Sequence, residues 1–377
     1  MKSFYAILWF SILLLCLLKI NTAVFAQSTA DEISIQQVAV IQDDFLMNTP
    51  EDIKTVGDTL FISLRGEATD GDEYIRNHSG MTAWDIKTPG KPKLNFKFEH
   101  PKLNGAMDHI LVGDILFLQS LYNATFLSID LSDMRSPRFL DSLKLGSTET
   151  VAYRLFKIKS KDQIVVSMRK EQSTPTGQIA TLDISNPQDI QLIDQETEAN
   201  TWSYDNFAIE NVVYSFPYMK GSKKLHIYEI SPDGTLRFEK TFEHPLLDGV
   251  HSFKKDKLLY IANFGSSTIL ILNIEDPFNP IVVGELQDDR MGEPNRMALD
   301  EENGLLWVAG YRKDIISVLD VRKPSEPQFI REFENDNFMR VQTIAYHNEH
   351  LYVGSRDSNS TVVFKVTIER TANSLAD

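Results

Sequence analysis

A proline-punctuated strand unit recurs along this chain at intervals in the forties, and it leaves few architectures open. Within residues 267–286 an apolar, β-branched run from Ile269 to Ile274 stops at Glu275-Asp276-Pro277. Pro280 closes a short turn, and a second β-rich run follows from Ile281 to Leu286. Proline has no N–H to give to a ladder and its predecessor avoids the helical region, so the two prolines mark a hairpin turn. The unit returns at residues 81–92, 127–137, 180–187, 226–232 and 317–327, and residues 362–366 keep the strand without the turn. Measured between the residues that close each central strand (Asp85, Asp130, Asp183, Glu229, Asn273, Asp320 and Lys365), the spacings are 45, 53, 46, 44, 47 and 45 residues.

A second apolar run precedes each of these strands, at residues 59–63, 115–118, 164–167, 212–215, 258–261, 305–308 and 351–353. A period in the forties with four β-runs per repeat is the pattern of a propeller blade, with strands A to D in chain order. Helical periodicity is nowhere sustained. The expected fold is therefore all-β, a seven-bladed propeller of four-stranded blades. The seventh repeat lacks its strand D, and residues 35–44 closely match residues 281–289, which are strand D of blade five with its following loop. The N-terminal strand is thus expected to complete the last blade and remove the raw edge between the two ends. One domain over residues 31–369 results, followed by a disordered tail, 370–377.

Residues 1–26 read as a signal peptide. Lys2 gives a positive start, residues 4–18 are apolar apart from Ser11, and Val24-Phe25-Ala26 offers small-residue cleavage before Gln27. The alternative, an uncleaved anchor, needs a longer apolar run of about 20 residues. Cys16 is the only cysteine, so a chain cut after Ala26 has no thiol for nucleophilic, disulfide or metal-thiolate chemistry. Cleavage leaves 36 basic against 53 acidic residues, a formal charge of −17. Such a surface repels phosphate backbones and anionic lipid, which argues against nucleic-acid and membrane-surface binding. No later stretch is long and apolar enough to form a spanning helix.

Runs such as Leu127-Ser-Ile-Asp-Leu-Ser132, Thr181-Leu-Asp-Ile-Ser-Asn-Pro187 and Ile271-Leu-Asn-Ile-Glu-Asp-Pro-Phe-Asn-Pro280 resemble the LVIVD-repeat family of bacterial and archaeal secreted or cell-surface propellers. The resemblance covers nearly all of the chain after residue 26. It implies an extracytoplasmic location and a binding or adhesion role, and it carries no catalytic motif. Trp84-Asp85 matches the WD dipeptide of WD40 repeats, but no Gly-His partner accompanies it, so that assignment is weaker.

The C–D turns are short variants of one another, as structural turns should be. The opposite face carries irregular B–C and D–A loops, where recognition on a rigid ring usually sits. Five B–C loops hold an aromatic: Tyr74, Tyr122, Tyr218, Phe264 and Tyr311. These either stack on a ligand or cover seams between blades. Counting back from strand B places Asp52, Asp108, Arg154, Asp205, His251, Arg296 and a residue of the 340–343 stretch, with Arg340 as the charged choice, at the mouth of the central channel. That ring is the best binding-site candidate, and the competing reading is a hydrated polar channel with no ligand. Asp70, Asp72 and Glu73 with Glu67 offer oxygens to Ca²⁺ without EF-hand spacing, so a solvated acidic loop is the simpler reading and no cofactor is expected. His100 and His244 stand in two similar D–A loops three blades apart and read as loop structure rather than ligands. There is no GxSxG, P-loop or dinucleotide fingerprint.

The sequence therefore points to a secreted or periplasmic interaction platform for a glycan, peptide or protein partner. The runner-up is a hydrolase or lactonase-like enzyme using channel-mouth carboxylates and His251, with or without a metal. An ion held by several ring residues would favour the enzyme, and an aromatic-lined groove the binder.

Overall fold

The computed structural model describes residues 32–43, 46–69, 72–146, 150–170, 176–199, 203–217 and 222–369. The signal peptide and the tail expected from the sequence lie outside the described residues. The described strands form seven four-stranded antiparallel sheets and one small hairpin, Glu67–Thr69 with Asp72–Asn77, in the first B–C loop. In blade one, strands A to D are Pro50–Val56, Thr59–Leu64, Gly80–Asp85 and Lys93–Glu99. Blade seven takes strands A to C from Val341–His347, His350–Ser355 and Ser360–Glu369, and Glu32–Gln42 lies beside the last of these in the strand D position. Each strand A touches the strand A of the next blade, and Val341–His347 touches Pro50–Val56, so the ring is closed.

Burial falls from the middle of a blade outward, and it explains the sequence pattern. Strands B and C are covered on both faces by neighbouring blades, so they are continuous apolar runs rather than alternating ones. Leu60, Phe61, Ile62, Ser63 and Leu64 are all buried, as are Thr268 to Leu272. Strand D is the outer edge and is incompletely covered, as in Gln328–Glu334, where exposed and half-buried residues mix. The core consists of the seams between blades. Phe117 and Phe126 of blade two, stacked at 5.6 Å, join Ile164, Val166 and Ala180 of blade three in one buried cluster. Each such side chain contributes roughly 1.5–3 kcal/mol through apolar area removed from water.

The repeated C–D turn has two physical causes. First, the polar residue closing strand C accepts the N–H two residues on: Asp130 from Ser132 at 2.9 Å, Asp183 from Ser185 at 2.8 Å, Asn273 from Glu275 at 2.8 Å and Asp320 from Arg322 at 2.9 Å. These Asx turns fix the chain reversal locally. Second, each turn tucks against the preceding blade. Ser128 donates to the Pro187 carbonyl at 2.5 Å, Thr181 to the Gly234 carbonyl at 2.8 Å and Tyr214 to the Pro277 carbonyl at 2.5 Å. At Gly284 the next blade comes so close that a Cβ would lie 1.9 Å from the Pro324 carbonyl oxygen. The turns hold blades together.

Candidate functional site

All seven strands A begin with the same irregularity. The register against strand B shifts between Pro50 and Asp52, Ala106 and Asp108, Ala152 and Arg154, Ser203 and Asp205, Gly249 and His251, Pro294 and Arg296, and Val341 and Thr343. A bulge of this kind sets two consecutive residues against one partner and re-aims side chains. The result is two stacked rings. The outer one is Glu51, Met107, Tyr153, Tyr204, Val250, Asn295 and Gln342, and it lines a cavity of about 410 Å³. The inner one is Asp52, Asp108, Arg154, Asp205, His251, Arg296 and Thr343, and it lines a second cavity of about 600 Å³.

Six of the seven ring residues expected from the sequence are brought together. Arg340 is the exception and is corrected to Thr343, which pairs with Gly354 at the matching register position. Arg340 precedes the strand, pairs with Asp357 at 3.2 Å and takes the left-handed backbone conformation at φ 57. The physical reason is the bulge together with a preceding loop of its own length, which carries Arg340 out to the rim.

The inner ring is a girdle rather than an open mouth. Asp52, Asp108, Arg154, Asp205, Arg296 and Thr343 are all buried, while His251 is half-buried. Polar groups of this layer and the next bridge every pair of neighbouring blades. Lys54 donates to Asp108 at 2.5 Å, and Asp108 accepts the Leu155 N–H at 2.8 Å. Asn206 donates to the Arg154 carbonyl at 3.1 Å, Ser252 to Asp205 at 2.8 Å and Arg296 to the Val250 carbonyl at 3.4 Å. Asn295 donates to the Gln342 carbonyl at 2.8 Å, and the Ile53 N–H to Thr343 at 3.1 Å closes the circle.

Charge divides the girdle. On the side of blades one to three, Lys54 lies 3.1 Å from Asp52 and 2.5 Å from Asp108, and Arg154 lies 3.6 Å and 3.9 Å from the same two acids. Burial pushes Asp52 up to about 7 against the pull of Lys54 and Arg154. Asp108 is also buried, but Lys54, Arg154 and the Leu155 N–H outweigh that penalty and hold it well below the usual carboxylate range. Burial raises Asp205 to about 7, and burial with the Arg154 and Lys54 charges lowers His251 to about 3. On the far side Arg296 is 2% exposed and hydrogen-bonds to the carbonyls of Asn295 and Val250 rather than to a carboxylate.

Ligand atoms of Asp52, Asp108 and His109 lie within 4.8 Å of one another, which is the spacing of a metal site. The Lys54 ammonium already bridges both carboxylates, and His109 spends Nδ1 on a 2.7 Å hydrogen bond with Ser63. A divalent cation would have to displace a built-in one, so these residues do not fit a metal. Of the acidic loop, Asp70 lies outside the described residues, and the side chains of Asp72 and Glu73 are likewise not described.

The rim around the outer ring is where arginine and aromatic residues meet. The residue two beyond each strand B partner of the inner ring reads Arg65, Leu121, Arg169, Phe264, Tyr311 and Arg356 in the blades where it is described. Two guanidiniums lie over the Tyr122 ring, Arg65 at 4.9 Å and Arg76 at 5.2 Å from its centroid. Arg169 lies 4.9 Å above Tyr153, which packs on Tyr204 at 4.5 Å. Phe264 and Tyr311 pack at 5.8 Å. Glu51 meets Arg65 at 3.2 Å and Arg356 at 3.5 Å, and Arg312 meets Glu293 at 2.6 Å. Of the expected loop aromatics, Tyr122, Phe264 and Tyr311 line the cavity. Tyr218 lies outside the described residues, and the side chain of Tyr74 is not described. His100 and His244 close equivalent turns, each accepting an N–H three residues on, from Leu103 at 2.9 Å and Leu247 at 3.0 Å.

Lys54, His109 and the rim arginines were not singled out by sequence reasoning. Lys54 stands two residues after Asp52 on the same strand face, so period-two counting would have found it. Arg65, Arg169 and Arg356 stand two after their strand B partners, and the same count reaches them, whereas Arg312 stands three after Ala309.

No protein-family model matches the chain, and no curated protein matches it. Solved propellers do. The β-propeller domain of Cps50 (Swd1) from Myceliophteria thermophila has a TM-score of 0.67 at 10% identity, over 89% of this chain and 100% of that one. The WD40 propeller domain of Doa1 gives 0.62 at 11% identity, over 88% and 97%. A chain in a structure of the mitotic checkpoint complex gives 0.59 at 11%, over 92% and 94%. At these identities the likeness is one of fold alone.

Proposed function

We propose that this chain is an extracytoplasmic binding propeller of the LVIVD-repeat type that engages a partner through the rim around the outer ring. One observation carries the reading. A cavity of about 410 Å³, within the size range of ligand pockets, is lined by guanidiniums and aromatic rings, above a girdle in which hydrogen bonds bridge the blades. Arginine and tyrosine are the residues most enriched where binding energy concentrates. Propellers commonly serve as interaction platforms, and a propeller of like fold works within the mitotic checkpoint complex. Export is supported by the charged, apolar and small-residue sections of residues 1–26, and the exported protein is expected to begin near Gln27. N-terminal sequencing that retains Met1 would refute this.

The partner-binding face can be tested with a thiol. Cys16 is the only cysteine of the chain, so a single introduced cysteine is a unique handle once residues 1–26 are gone. Tyr311→Cys at the rim and Lys323→Cys on the C–D turn face are each coupled to a bulky maleimide. Partners identified on the unmodified protein in an envelope extract should be released by the rim adduct and kept by the turn-face adduct. The reverse pattern would overturn the reading.

A further inference from the structure

We propose that the second cavity, separate from the partner-binding rim, takes a small carboxylate with an apolar body, its carboxylate held on Arg296. This cavity of about 600 Å³ is within the size range of ligand pockets. It starts at the inner ring and follows strands A toward their ends, reaching Val56, Leu111, Lys157, Leu299 and Tyr346, so it lies on the other side of the ring from the rim. Beyond the ring its wall is chiefly apolar, with Phe156, Phe253, Leu299 and Tyr346 among the side chains. An apolar surround with a few convergent polar groups is the make-up of a small-molecule pocket.

Arg296 supplies the polar contact. It lines this cavity and not the outer one, and it is 2% exposed. Its Nη1 donates to the Asn295 carbonyl at 2.6 Å and the Val250 carbonyl at 3.4 Å, whereas Nε and Nη2 have no hydrogen-bond partner among the described residues. Those two N–H groups lie side by side on a planar guanidinium and match the two oxygens of one carboxylate. A buried charge without its hydrogen bonds is costly, so this edge favours an ionised acceptor over a neutral one. His251 Nδ1, from the adjoining blade, is a further buried atom without a partner among the described residues. The other cations of the lining are committed. Lys54 and Arg154 face Asp52 and Asp108, and Lys157 donates to the Ile158 and Lys161 carbonyls. Among the described residues that line the cavity from blades five to seven, Arg296 alone carries a fixed charge. Burial, and then the nearby Asp300, Glu349 and Glu302, raise the Tyr346 hydroxyl. Those acids repel an anion at the far end, which puts the carboxylate at the ring and the apolar body toward Tyr346.

The test is titration calorimetry of octanoate into the chain lacking residues 1–26, with acetate, octanol and octylamine as comparators. Saturable octanoate binding is expected, weakened about tenfold or more in Arg296→Met and unchanged in Lys323→Ala. Arg296→Lys should also bind more weakly than wild type, because an ammonium keeps the charge and loses the paired N–H groups. Acetate lacks the apolar body and octanol the charge, so each should bind about tenfold or more weakly than octanoate, and octylamine most weakly of all. If the Arg296 variants fail to fold, the comparators on the wild type decide. Absence of saturable octanoate binding, or an unaffected Arg296→Met, would overturn the proposal. Octanol as tight as octanoate would mean an apolar crevice without the Arg296 contact, and acetate as tight would mean an anion site without the apolar wall; either result would overturn it too.

Discussion

The two rings of the channel are one residue apart in every strand A, yet they do different work. The inner ring is buried apart from half-buried His251, takes part in the bonds across six of the seven seams, and has Asp52 and Asp108 matched by Lys54 and Arg154. The outer ring shares its space with arginines and aromatics that come from strand B ends and line a cavity. Polarity in a propeller channel is therefore not itself a binding signal. Cross-blade pairing alone does not separate the rings either, since outer-ring Asn295, Gln342 and Glu51 also bond across seams; what differs is the arginines and aromatics that share the outer cavity.

The largest effect is expected from Asp108→Ala. It strips partners from Lys54, Arg154 and the Leu155 N–H at once, and breaking a buried ion cluster costs about 3–5 kcal/mol. Denaturant unfolding should show that loss, and a stability within error of wild type would mean the inner ring does not hold the blades.

Asp205→Asn probes the same ring through pH. Asp205 is raised to about 7 by burial, so its folded form keeps its proton longer than an unfolded carboxyl near 3.9. A raised carboxyl contributes stability that is complete at low pH and lost as pH rises through about 7. The amide is never ionised. The Asp205→Asn variant should therefore gain on wild type as pH climbs from about 4 to about 7 and then level, by on the order of 2–4 kcal/mol. A difference that is flat with pH would refute it.

Arg296→Met tests the other half of the girdle. Among the described residues Arg296 has no carboxylate partner to strand, and apolar replacement of a buried charge is often neutral, so a change within about 1 kcal/mol is expected. Arg154→Met, which leaves Asp52 and Asp108 short of a cation, should cost clearly more in the same unfolding assay.

The smallest effect on stability belongs to the outer ring. Arg169→Ala removes a half-buried guanidinium stacked on Tyr153 and should cost less than about 1 kcal/mol. A loss as large as that from Asp108→Ala would erase the distinction between the rings.

Much of the fold was legible because its determinants are local. The Asx turns at Asp130, Asp183 and Asp320 need only the residue and the N–H two positions on. Strands B and C announce their double-sided burial as unbroken apolar runs, and the match between residues 35–44 and 281–289 assigned the closing strand to its blade. The site was legible in part. Six inner-ring positions followed from counting back from strand B, and Arg340 was misplaced because the bulge and a loop of particular length intervene. The roles were not legible, since Lys54 meets an acid 54 residues away and Gln342 meets one 291 residues away.

Seven repeats, their strand order and the turns that join them were thus set by sequence alone, because unbroken apolar runs and proline-marked turns are written in neighbouring residues. Which polar residues brace the ring, and which face its cavity, was settled only by the folded chain. A bulge sends adjacent residues into different rings, and only closure brings Glu51 within reach of both Arg65 and Arg356.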